Sequence, residues 1–217
     1  MKRAVVFCFC CLFLFSPAWG AQNIVPNGNF EQADSSGKSP AGWQPLRRGY
    51  EWIQTNAAHG RIMRFFIPRE IARGEGFRFF SNAFRIKDRQ PYHFHAQIRS
   101  AGPEVTIFIN GYGTQDGIRK RVFRRQIDSE DRPEINDWIS LDFNFIPAQG
   151  RVRARMVNPR NAVTRVKVTE MDIEVFVHGS EGGVLELDNV TITPGATSSR
   201  PASHSVSEPT SSTLHSH

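Results

Sequence analysis

From position 92 to 100 the chain alternates without a break. Tyr92, Phe94, Ala96 and Ile98 fall on one side, and His93, His95, Gln97 and Arg99 on the other. Successive side chains of a strand point to opposite faces, so this pattern specifies a strand with one face in a core and one open to solvent or ligand. Residues 138–146 repeat it, with Ile139, Leu141, Phe143 and Phe145 as the inward set and Trp138, Ser140, Asp142 and Asn144 opposite. Further strand candidates are 50–54, 61–67, 77–86, 105–110, 119–127, 152–157, 163–169, 171–177 and 185–192. Gly111-Tyr112-Gly113 reads as the turn that ends the 105–110 strand. About ten short strands spaced by Gly, Pro, Asn and Asp, with no convincing 3.6-residue apolar periodicity, predict an all-β, antiparallel β-sandwich, and within that class a jelly roll.

Both ends of the chain are set apart by composition. Met1-Lys2-Arg3, an apolar run over 4–15, and Ala18-Trp19-Gly20 have the layout of a cleavable secretory leader, with cleavage expected near Gly20. Its apolar run is too short to span a bilayer, which needs about 20 residues. Cys8, Cys10 and Cys11 all lie inside the leader, so a mature chain has no disulfide, no thiol nucleophile and no cysteine-ligated zinc. Stability must then come from a hydrophobic core, and the segment 21–193 is long enough to form one as a single domain. With Lys2 and Arg3 set aside, 25 basic side chains face 21 acidic ones, a charge of +4 that is no nucleic-acid signature. Residues 194–217 are rich in Ser, Thr, Pro and His and poor in large apolar side chains, the composition of a disordered tail.

The first stretch after the leader, Asn23-Ile24-Val25-Pro26-Asn27-Gly28-Asn29-Phe30-Glu31, reads as a first strand broken by a turn. Pro40-Ala41-Gly42-Trp43 follows it, and the last strand carries Asp188-Asn189-Val190-Thr191-Ile192. In that strand Leu185 and Leu187 are in phase while Val190 and Ile192 are in the opposite phase, so a β-bulge is expected between Asp188 and Asn189. An opening N-x-V-x-N-G-x-F-E, a following P-x-G-W and a closing D-N-V-x-I resemble the carbohydrate-binding modules of the CenC type (family 4/9-like) and their galactose-binding-like jelly-roll relatives. The likeness extends over 22–193, strongest at the two ends and around 136–145. It implies that the two chain ends lie side by side, and that a structural Ca2+ is held between them by Glu31 and Asp188 with backbone carbonyls.

Catalytic motifs are missing: there is no G-x-S-x-G, no H-E-x-x-H, no P-loop and no G-x-G-x-x-G. His93-x-His95 could offer two imidazoles to zinc or copper if a neighbouring strand supplied a third ligand, and otherwise meets solvent or ligand. Arg119-Lys120-Arg121 with Arg124-Arg125 could meet an acidic glycan, or could be an edge strand guarded by charge. A sugar site needs flat rings for the C–H faces of pyranoses and planar polar groups for the hydroxyls. Tyr50 and Trp52 on one strand face, the strip His93, His95, Gln97 and Arg99, and Tyr112 are the candidates, with Tyr50 and Trp52 alternatively one layer of the core. Trp43 and Trp138, inside the motif segments, are assigned to packing. The expected protein is a secreted (extracellular or periplasmic), non-catalytic binder of polysaccharide or cell-surface glycan, monomeric, with no nucleic-acid partner and no membrane span. A cell-surface adhesive protein on the same sandwich is the competing class, and a small glycan-cleaving enzyme the third.

Overall fold

The computed structural model describes residues 22–195 apart from 57, 73, 75, 130–134, 149, 154–162 and 180. The expected leader, residues 196–217 of the expected tail and residues 154–157 of the 152–157 strand candidate lie outside the described residues. Twelve strands are described: β1 (Tyr50–Gln54), β2 (Arg61–Phe66), β3 (Phe77–Phe80), β4 (Phe84–Arg85), β5 (Tyr92–Ala101), β6 (Glu104–Gln115), β7 (Ile118–Asp128), β8 (Ile135–Phe145), β9 (Gly150–Arg153), β10 (Val163–Val166), β11 (Glu170–His178) and β12 (Val184–Pro194). The one described helix is a single turn, α1 (Arg69–Ala72). One antiparallel sheet runs β1-β2-β12-β5-β8 and a second runs β3-β11-β6-β7, with β4 also on β11 and β9-β10 as a separate pair. Phe65, Phe94, Ile98, Leu187 and Ile192 of the first sheet share one buried cluster with Phe79, Ile107, Ile109, Ile173 and Val175 of the second, which makes the molecule a β-sandwich.

The motif at the chain ends holds one end of this sandwich together. Ile24 N–H donates to the Ile192 carbonyl at 2.9 Å, and Val190 N–H donates to the Gly28 carbonyl at 2.8 Å, so the two ends of the described chain do run side by side. Residues 22–31 form turns rather than the expected strand, because the Asn23 side chain takes over part of the ladder: its Oδ1 accepts from Ile192 N–H and its Nδ2 donates to the Val190 carbonyl. Gly28 is required by this approach, since a Cβ there would lie 1.8 Å from the Val190 oxygen. Asn27 sits at φ 45° and its side chain bonds Gln32 and Ala41, tying the opening turn to the segment before Trp43. Phe30 and Trp43 then pack at 5.0 Å between ring centroids, and Trp43 stacks on Phe79 of β3 at 5.1 Å. Trp43 is therefore a core residue, as its place in the motif implied.

Two readings of the strands need correction. The Gly111-Tyr112-Gly113 stretch is no turn: β6 passes straight through it with a register shift against β7, and the hairpin closes five residues later at Asp116-Gly117, both at positive φ. The glycines serve close packing instead, as a Cβ on Gly113 would lie 2.1 Å from the Lys167 carbonyl oxygen. Pro194, where the tail is expected to start, is still the last residue of β12 and pairs with Tyr92. The expected bulge is present: Asp188 pairs with Gln97 and Thr191 with His95, and Asn189 adopts φ 50° in the extra space.

A polar sheet face around Trp138

The inward set of β5 fixes what its other face displays. Tyr92, Phe94, Ala96 and Ile98 are buried, so His93, His95, Gln97 and Arg99 stand on the outer face of the five-stranded sheet. Cross-strand register places Thr191 and Thr193 of β12 beside His95 and His93, and Ser140, Asp142 and Asn144 of β8 on the other flank. The strip spans about 20 Å at about 3.4 Å per residue, longer than one sugar ring. His95 Nδ1 lies 2.9 Å, and His93 Nε2 3.5 Å, from the same Asp142 oxygen. Gln97 accepts from Asn189 Nδ2 at 2.7 Å, so the bulge residue orients its amide.

Trp138 belongs to this face, which corrects its assignment to packing. The register of β5 with β8 shifts between Ile98 and Ser100, setting three β8 residues against Arg99, and Trp138 is the last of them. Its ring stacks on His59 with centroids 4.1 Å apart and planes 21° from parallel, and the Arg99 guanidinium lies 5.5 Å from its centroid. His59 comes from the β1–β2 loop and is anchored by Asp188 Oδ2 at 2.9 Å. Arg99 is anchored by Glu186, which also takes both Nε and Nη2 of Arg64 on one oxygen at 3.0 and 2.7 Å. Glu186 and Asp188 are almost completely buried, so the groups holding Trp138 are fixed before any ligand arrives. Burial raises the Asp188 carboxyl above its ordinary value of 3.8, and the bonds from His59 and Asn189 pull the other way.

The remaining candidates lie elsewhere. Tyr50 and Trp52 share a strand face, but it is the inner one, which corrects the expectation that they line a sugar groove. Tyr50 is 9% exposed, packs against Phe65, Phe77 and Phe79, and donates its hydroxyl to the Arg78 carbonyl at 3.0 Å. Trp52 packs against the core, donates Nε1 to the Phe30 carbonyl at 2.8 Å and is overlain by Arg61 at 4.2 Å. Tyr112 stands on the outer face of the other sheet, with the Arg119 guanidinium 3.5 Å over its ring. Burial, reinforced by Asp172, pushes its hydroxyl up to about 12. The basic strand β7 is an edge strand, where Arg119 pairs with Glu170 at 3.2 Å and Arg124 with Glu174 at 3.4 Å. Acids on β11 thus neutralise part of the charge that an acidic glycan would have met there.

Glu31 and Asp188 do share a corner, yet they do not fit the calcium site implied by the resemblance. Ca2+ takes six to eight oxygens. Here Glu31 Oε1 accepts Arg61 N–H at 2.8 Å, Asp188 Oδ1 accepts Asn189 N–H at 2.7 Å, and Asp188 Oδ2 accepts Asn189 Nδ2 at 3.0 Å and faces His59. N–H donors thus sit on both Asp188 oxygens and on one Glu31 oxygen, where a cation would need lone pairs. Among the described residues, no group of three His, Cys, Asp or Glu side chains could hold a metal, and His93 and His95 share Asp142 instead.

No protein-family model matches this chain, and no curated protein matches its sequence. Solved structures do. A protein of Bacteroides thetaiotaomicron to which sugar binding is ascribed aligns with 80% of this chain and 100% of its own, at 14% identity and a TM-score of 0.52. A family 16 carbohydrate-binding module aligns with 79% of this chain and 99% of its own at 11% identity and a TM-score of 0.49. A family 61 module in complex with β-1,4-galactotriose aligns with 81% and 100%, at 12% identity and a TM-score of 0.49. At these identities a likeness shows the fold alone, and the one with a TM-score above 0.5, together with the two packed antiparallel sheets, makes the chain a jelly-roll β-sandwich.

Proposed function

We propose that this protein is an exported, non-catalytic module that binds a polysaccharide along the outer face of the five-stranded sheet. The observation that carries the reading is the placement of Trp138, on the same face as the strip His93, His95, Gln97 and Arg99 and held there by His59 and Arg99. The ring offers an apolar plane to the C–H groups of a pyranose. Amide, imidazole and guanidinium groups beside it offer the flat donors and acceptors that ring hydroxyls require. Side chains clamped by buried Glu186 and Asp188 lose little freedom on binding, which favours affinity. The leader-like residues 1–20 support export, and no described helix is long and apolar enough to cross a membrane. Screening the protein against insoluble and soluble polysaccharides by affinity electrophoresis tests the reading. Retardation by at least one neutral polymer is expected, and no retardation by any would favour the adhesive class on the same fold.

A further inference from the structure

A second surface feature lies on the sandwich edge, where β1 of one sheet comes close to β3 of the other. It is a cleft of about 470 Å3, walled by Tyr50, Phe77 and Phe80 and rimmed by Arg47, Arg48 and Arg78. Every charged residue lining it is an arginine. Its walls are fixed: Tyr50 Oη and Gln44 Nε2 both donate to the Arg78 carbonyl, at 3.0 and 2.9 Å, and Gln44 N–H donates to the Phe80 carbonyl at 2.9 Å.

The three arginines are not equally committed. Arg78 is engaged by buried Glu174 and lies over the Phe176 ring. Arg48 pairs with Glu70 at 3.1 Å, but the two side chains are 78% and 60% exposed, so a ligand could displace that pair at little cost. Arg47 has no carboxylate partner among the described residues, and its charge acts on Tyr50 in the cleft wall. Guanidinium forks match the oxygens of a carboxylate or sulfate, and an aromatic wall matches the C–H face of a sugar ring.

We propose that this cleft binds a uronic acid unit of an acidic saccharide, its carboxylate held by Arg47 and Arg48 and its ring set against Phe80, the half-buried ring of a wall whose Tyr50 and Phe77 belong to the core. The cleft lies on the edge of the sandwich and the Trp138 face on a sheet, so the two bindings are independent. Titration calorimetry of the full chain with a galacturonic acid trimer, a neutral galactose trimer and inorganic sulfate tests it. The acidic trimer binds saturably and more tightly than either of the other two, and its affinity falls with added salt. Arg47→Ala weakens it about tenfold, Arg47→Gln does the same, and Trp138→Ala leaves it unchanged. Arg47 is exposed, so its two variants keep the wild-type melting temperature. Sulfate binding as tightly as the acidic trimer would reduce the cleft to a bare anion site and overturn the proposal. Loss of the trimer in Trp138→Ala but not in Arg47→Ala would move it to the sheet face and overturn it equally, as would no saturable binding at all.

Discussion

His59 and Asp188, 129 positions apart in the chain, meet at 2.9 Å between Nδ1 and Oδ2, and the imidazole so held is the one that stacks on Trp138. The Asp188 carboxyl is 1% exposed and raised by burial above 3.8. A raised carboxyl binds its proton more tightly in the folded chain than in the unfolded one. It therefore adds stability that is fully present below about 3.8 and is lost as pH rises through the folded value. Asp188→Asn, which cannot ionise, escapes that loss. The difference in melting temperature between Asp188→Asn and wild type should move in favour of the variant as pH rises from the ordinary carboxylate value towards neutrality. A difference that stays flat with pH would show that Asp188 is not raised.

The donors around Glu31 and Asp188 lead to a second expectation. Arg61 N–H sits on Glu31 Oε1, and Asn189 N–H and Asn189 Nδ2 sit on Asp188, so three of the four carboxylate oxygens of the corner already hold N–H donors. Thermal melts in calcium and in chelator should coincide. A rise of several degrees with calcium would mean that the corner reorganises into a coordination shell, as the sequence resemblance implies.

Trp43 and Trp138 both sit in segments that resemble family motifs, yet they should respond oppositely to truncation. Trp43 is buried against Phe30 and Phe79 and donates Nε1 to the Pro26 carbonyl at 3.0 Å. Trp43→Ala should cost about 3 to 5 kcal/mol in urea unfolding, a large share of a domain's stability. A Trp43→Ala protein that unfolds at the wild-type midpoint would contradict its place in the core.

Much of the fold was legible because period-2 alternation sorts side chains into two sets. For β5 and β8 the apolar set names the inner face by itself, and the phase reversal after Leu187 located the bulge at Asp188 and Asn189. On β1 the alternation was ambiguous. Tyr50 and Trp52 oppose Glu51 and Ile53, and one aromatic set against one mixed set does not say which faces in. The hydroxyl and indole N–H found carbonyl partners inside, which lets two amphipathic rings serve the core. Tyr112 was misplaced because Gly111 and Gly113 carry the signal of a turn while serving close approach to residues 167 and 168. Trp138 was missed as a face residue for a different reason. Its role depends on His59, which reaches it from the β1–β2 loop, and no local pattern joins the two. The one available signal was its phase, opposite to Ile139, Leu141 and Phe143.

Trp138→Ala is the most direct test of glycan binding on the sheet face. The ring lies outside the buried core cluster, so the melting temperature should stay within a few degrees of wild type. Affinity electrophoresis against a polymer that retards the wild type should show that retardation abolished. A Trp138→Ala protein retarded as strongly as wild type, with its fold intact, would contradict the assignment of the site to this face.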